Sequence, residues 1–146
     1  MTETFDRDGV RFQYPTNWRA EPGAADTEAD GSWTAVLQSP GTAFVLVSLR
    51  PGADTPATLA DETLDALRAE YPQLDAEDVV EKLAGRVAVG HDVDFLTLDT
   101  AVTCRTRCLD TPAGPVLLMG QTGEYDRPTA EAVFAAVFAS LTIEAD

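Results

Sequence analysis

The chain has 146 residues, 45% of them hydrophobic and 24% charged, a balance that buries a core and excludes the low-hydrophobicity, high-charge class of disordered chains. Its formal charge of −15 argues against nucleic acid and anionic lipid as partners, since both are bound by clustered cations that displace counterions. Lys82 is the only lysine, and the acidity is expected to form a solubilising surface, with a docking face for a cationic partner as the alternative.

Glu3, Asp6, Arg7, Asp8 and Arg11 interrupt every apolar run near the start. A secretory signal is therefore not expected. No stretch of about 20 apolar residues is present to span a bilayer, so the expected location is cytoplasmic. That compartment disfavours a disulfide between the two cysteines, Cys104 and Cys108.

The segment GVRFQYP (9–15) alternates Val10, Phe12 and Tyr14 against Arg11 and Gln13, the period of a half-buried strand ended by Pro15, and Trp18 follows in a turn. Residues 21–31 mix Pro, Gly, Ala and acids without periodicity and read as a loop. SWTAVLQS and TAFVLVSLR read as a hairpin around Pro40 and Gly41, with Ala43–Leu49 apolar enough for a central strand. Thr55 or Thr58 caps, and Pro56 opens, a helix with apolar positions Ala60, Leu64, Leu67 and Tyr71 that Pro72 ends.

EDVVEKLAG and RVAVGHDVDFLTL form two strands broken at Gly85; VTCRTRCLDT and PVLLMGQT form two more around Pro112–Gly114. Four consecutive strands suggest a meander. Asp126 caps and Pro128 opens a last helix with Ala130, Val133, Phe134, Val137, Phe138 and Leu141 on its apolar face, and SLTIEAD leaves it as a short extended tail. The pattern is α+β: one domain over 1–146, with two main helices and a central, mostly antiparallel sheet of six to seven strands.

The opening GVRFQYPTNWRAEP, with Tyr-Pro at a strand end and Trp close behind, resembles the start of PsbP-like and Mog-type proteins. The later order is similar too: a hairpin holding TAFVLVSL, a mid-chain helix, a strand pair starting near Gly85 and Arg86, and a terminal helix ending FASLTI. The resemblance covers nearly the whole chain and implies an α/β/α sandwich. Phe12, Tyr14, Pro15 and Trp18 carry it as structural residues. The family includes photosystem extrinsic subunits, Ran-binding proteins and bacterial proteins of unknown function. It therefore implies a protein-binding or assembly module rather than an enzyme, with no shared catalytic motif and no cofactor to carry over.

The sequence holds no GxGxxG, GxxxxGK[ST], CxxC, HExxH or GxSxG. His91 is the only histidine, which removes two-histidine mechanisms and histidine-rich metal sites within one chain. Serines 32, 39, 48 and 140 lack the context of a nucleophile elbow. GHDVDFLTLD followed by VTCRTRC is the richest cluster: His91, Asp92, Asp94, Arg105, Arg107 and Cys108 form a candidate binding surface.

If these strands pair with residue numbers summing to about 199, His91 faces Cys108, Asp92 faces Arg107 and Asp94 faces Arg105, at about 4.5–5.5 Å between Cβ atoms. The charges then share one face, read as cross-strand pairing on a solvated surface, with an anion or partner contact as the sharper alternative. His91, Val93, Phe95, Cys104, Thr106 and Cys108 share the other, read as core or, alternatively, as a ligand or metal site. Cys104 and Cys108 lie about 13 Å apart along an extended strand, too far for one zinc ion or for a disulfide. A Cys108 nucleophile activated by His91 lacks a third orienting group. Trp18, Trp33, Tyr71 and Tyr125 are expected in packing rather than in a ligand cleft. The Asp26, Glu28 and Asp30 loop lacks the spacing of an EF-hand. The expected partner is a protein or a second copy of the chain, with no nucleic acid and no membrane.

Overall fold

The computed structural model describes residues 1–20 and 31–144, so the acidic loop at 21–30 lies outside the described residues. Its strands are β1 (Thr2–Arg7), β2 (Val10–Pro15), β3 (Arg19–Ala20), β4 (Trp33–Gln38), β5 (Phe44–Leu49), β6 (Asp75–Leu83), β7 (Arg86–Leu96), β8 (Ala101–Thr111), β9 (Gly114–Gly123) and β10 (Thr142–Ile143). The helices are α1 (Pro56–Glu70) and α2 (Arg127–Ser140), the latter preceded by a single 3₁₀ turn at Glu124–Asp126. Seven strands form a sheet in the order β3-β4-β5-β9-β8-β7-β6, and β1-β2-β10 form a second. Every pair is antiparallel. The expected meander is β6 through β9.

Alternation along the strands decides which helix lies on which face. Val93, Phe95, Val102 and Cys104 point to one side, where Leu64 and Leu67 of α1 and Tyr71 just beyond its end cover them. Val45, Val47, Leu49, Val116 and Leu118 point to the other, toward α2 and the small sheet. There Phe12, Trp33 and Val137 are at most 1% exposed, and each large apolar side chain buried this way contributes about 1.5–3 kcal/mol. The result is an α+β sandwich, a seven-stranded sheet between two helices.

α1 starts as its sequence dictates. Thr55 accepts a hydrogen bond from the Thr58 amide at 3.0 Å, Pro56 takes the first turn, and Arg68 stands in the last, where a cation offsets the negative helix end. α2 departs from expectation. Asp126 precedes it but makes no side-chain cap; its carboxylate instead accepts from the Thr42 amide at 3.0 Å and from the hydroxyls of Thr42 and Thr122. Burial alone would raise its pKa, yet these hydrogen bonds hold it below the ordinary aspartate value. Asp126 thus ties the start of α2 to the β4–β5 loop.

The strand β1 extends the expected first strand into a hairpin. Asp8 and Gly9 turn it with φ of 49° and 84°, the paired positive angles of a tight hairpin that glycine adopts freely. The Asp8 carboxylate also accepts from the Trp33 indole at 2.7 Å. The tail pairs as β10 with Val10 and Arg11 of β2. Trp18 and Trp33 are core residues.

Candidate functional site

The segments singled out in the sequence are the adjacent strands β7 and β8, but their register differs by two residues from the expected one. His91 faces Thr106, Asp92 faces Arg105, Asp94 faces Thr103, and Cys108 faces Val89. The turn sets this. Thr97 closes it, donating its amide to Thr100 O at 2.9 Å while its hydroxyl accepts from the amides of Asp99 and Thr100. The reversal is therefore centred between Leu98 and Asp99. A shift of two preserves facing, so the two side-chain sets stay on the faces expected, while His91 and Cys108 are not opposed.

Both cysteines are free and fully buried beneath α1. Burial pushes each thiol up to about 12, because the thiolate loses its hydration. Cys108 is thereby a core residue whose thiol is held protonated at neutral pH. Among the serines weighed as nucleophiles, Ser39 hydrogen-bonds Gly41 and Ala43, Ser48 binds Thr34 and Arg50, and Ser140 binds Gln13.

The charged face is not solvated as expected. Arg107 has only 8% of its side chain exposed. Its guanidinium reaches Asp92 at 3.0 Å, pairs closely with Glu81, donates to the Thr106 carbonyl at 2.8 Å, and lies 6.0 Å from the Phe138 ring centre. Arg105 binds Glu131 of α2 at 2.6 Å and approaches Asp92 at 3.7 Å. Asp92 is thus shared between two arginines, although its Oδ1 lacks a well-aligned hydrogen bond. Asp94 stands apart from the arginines and accepts from Thr103 at 2.9 Å.

Arg107 reaches β6 across Gly90, which faces it on β7. A Cβ at Gly90 would sit 1.8 Å from the Thr106 carbonyl and 3.0 Å from Arg107 Cα. Only glycine fits this approach, and there the His91 amide donates to the Thr106 hydroxyl at 3.0 Å.

These contacts converge on β6, the residue set that the sequence reading did not single out. Asp78 faces His91, and His91 Nε2 lies 3.2 Å from its carboxylate. Glu81 is held by Arg107 from the opposite face. His91 Nδ1 has no hydrogen-bond partner among the described residues. A cation or histidine from the interior strands therefore latches the edge strand on each face.

β6 runs nine residues, DAEDVVEKL, and pairs on one side only, with β7. Among the described residues its outer backbone row pairs with nothing. Edge strands are ordinarily kept short or covered; this one is long and open, with Val80 71% exposed. Four carboxylates and one lysine, Lys82, ride on it.

A seven-stranded antiparallel sheet sandwiched by one helix on each face, with a small sheet beside it, is the PsbP-like fold. Cyanobacterial PsbP (CyanoP) from Synechocystis sp. PCC 6803 superposes with a TM-score of 0.65 at 15% identity, covering 98% of this chain and 92% of that one. PA94 from Pseudomonas aeruginosa, a protein of unknown function, gives 0.64 at 13% identity over 99% of each chain. LpqN of Mycobacterium tuberculosis, involved in cell envelope biogenesis, gives 0.59 at 13% over 98% and 90%. Likeness at these identities is likeness of fold. No family model and no curated protein matches the chain.

Proposed function

We propose that the protein is a non-enzymatic, PsbP-like or Mog-type binding module that takes an extended, basic segment of a protein partner onto β6. The observation that carries this is the open nine-residue edge strand. Unpaired amides and carbonyls at a sheet edge template strand addition, which supplies main-chain hydrogen bonds irrespective of side chain. Side-chain charge then selects the partner. Asp75, Glu77, Asp78 and Glu81 against Lys82 repel a second β6, because antiparallel self-pairing sets carboxylates against carboxylates. The same charges attract lysine and arginine.

The roles of the interior residues fit binding better than catalysis. His91 and Arg107 hold the edge, and the thiols lie far above neutral pH. The neighbours of this fold include a cell-envelope biogenesis protein and a cyanobacterial PsbP, settings that differ too much to lend this chain a specific partner.

The test is an amide-resolved NMR titration with the peptide acetyl-Lys-Val-Arg-Val-Lys-Val-Arg-amide. Saturable shifts and slowed amide exchange at 75–83, weakened about fivefold or more by Glu77→Arg, support strand addition. Absence of saturable binding, equal binding of the Glu-for-basic peptide, or shifts centred away from β6 overturns it.

A further inference from the structure

On the face of the sheet that α2 overlies, a groove of 440 Å³ runs between α2 and the second half of β6, a volume within the range of ligand sites. Its parts share that one face. Glu81 points there to Arg107, and Leu83 points there into the core that holds Phe134 and Phe138 of α2. Arg105 and Arg107 of β8 point there too, toward Glu131 and Phe138. Lys82, between Glu81 and Leu83 on the strand, points to the opposite face.

One wall is the flank of α2, where Ala135 and Ala139 are exposed and present only methyl groups. The other wall is β6 itself. The floor between them is made by the side chains of Arg105, 21% exposed, and Arg107; Leu83 and Phe138 close the inner end, with 7% and 8% of their surface left open. These charges are already matched, since Glu131, Glu81 and Asp92 hold the two guanidiniums. Neither an anion nor a cation gains a free counter-charge here. An uncharged aromatic ring uses what the groove does offer, through dispersion against the methyls and cation–π attraction to guanidinium.

We propose that this groove is the specificity pocket of the strand-addition site, taking an aromatic side chain of the segment paired to β6. The inference rests on strand addition, because Glu81 and Leu83 are at once a wall of the groove and part of the open edge, so that a residue paired opposite them and facing α2 leans into it. Asp75 and Glu77 share the α2 face by alternation, at the other end of the strand. The partner segment therefore carries its basic residues and its aromatic residue on one strand face, the basic ones at the Asp75 end and the aromatic one at the Leu83 end.

The probes are two phenylalanine peptides, acetyl-Phe-Val-Arg-Val-Lys-Val-Arg-amide for an antiparallel partner and acetyl-Lys-Val-Arg-Val-Lys-Val-Phe-amide for a parallel one. Each is compared by amide-resolved NMR titration with the peptide of equal charge that has alanine in place of phenylalanine. In one of the two placements phenylalanine is expected to bind about threefold or more tightly than alanine and to add saturable shifts at 135–139 to those at 75–83. Ala135→Gln with Ala139→Gln fills the groove at exposed helix positions that glutamine tolerates well. It is expected to abolish the phenylalanine advantage while leaving the alanine peptide's affinity unchanged. Equal binding of phenylalanine and alanine in both placements, an advantage that survives the filled groove, or no shifts at 135–139 overturns the pocket. If the alanine peptides still shift 75–83 in that event, strand addition stands without it; if no peptide shifts 75–83, both fall.

Discussion

On one face of β7 and β8, Val93, Phe95, Cys104 and Cys108 lie beneath α1; on the other, Asp92, Arg105 and Arg107 lie beside α2 among carboxylates from two further elements. The backbone ladder is common to both. What differs is coverage. α1 runs over β7, β8 and β9, whereas α2 packs Phe134 onto Gly120 of β9 and meets Arg105 and Arg107 of β8 through Glu131 and Phe138. Where a helix covers the sheet, apolar burial holds it; where the helix stops short, ion pairs reach outward to the edge strand. The open edge is therefore backed by electrostatics, and the faces should respond differently to perturbation.

The largest expected difference is in thiol chemistry. With both thiols near 12 instead of the ordinary 9.0, the thiolate fraction at pH 8 is about a thousandfold below that of an unfolded cysteine. Reaction with a disulfide reagent should be slow in the folded protein and should track unfolding in urea. A fast-reacting cysteine under native conditions would break the comparison. The linkage has a definite sign: a neutral thiol favoured by the fold stabilises below pH 9, and that stabilisation is lost as pH rises from 9 toward 12. Urea midpoints measured across pH 8 to 11 should fall.

Next, Phe95→Ala removes a ring that is 6% exposed and stacked on Tyr71, costing about 3 kcal/mol in denaturant unfolding. Arg107→Ala on the opposite face should cost about 1–3 kcal/mol, less than a fully buried pair because Glu81 and Asp92 keep access to water. Their signatures differ as well as their sizes. Loss of Phe95 should lower protection across the sheet, whereas loss of Arg107 should raise amide exchange first at 75–83, the strand it latches. Uniform loss of protection in Arg107→Ala would show that the arginine serves the core rather than the edge.

Much of this asymmetry is legible in the sequence, for a physical reason. Alternation has a period of two, so the facing of His91, Val93 and Phe95 against Asp92 and Asp94 survives any even error in register. The register itself is set by the Thr97 hydroxyl in a four-residue turn, a local hydrogen bond that hydrophobic pattern does not report. β1 is hidden differently: TETFDR has one apolar residue, yet the Asp8-Gly9 pair before Val10 is a recognised hairpin signal. The role of β6 is least legible. Its acids look like any solvated surface until topology makes Asp75–Leu83 an edge and brings His91 and Arg107 behind it.

The smallest effect tests the weaker of the two latches. The Asp78 side chain is 94% exposed while that of His91 is 8% exposed, so water competes for one partner and Asp78→Ala should cost at most about 0.5 kcal/mol. Global denaturation barely reads such a change, but amide exchange at 76–80 does. A rise there of about twofold, with no change beneath α1, fits a latch that orders the strand locally. If Asp78→Ala instead destabilised the protein as much as Arg107→Ala, the exposed pair would equal the buried one. The dependence of ion-pair strength on coverage, from which the two faces were distinguished, would then fail at the edge strand itself.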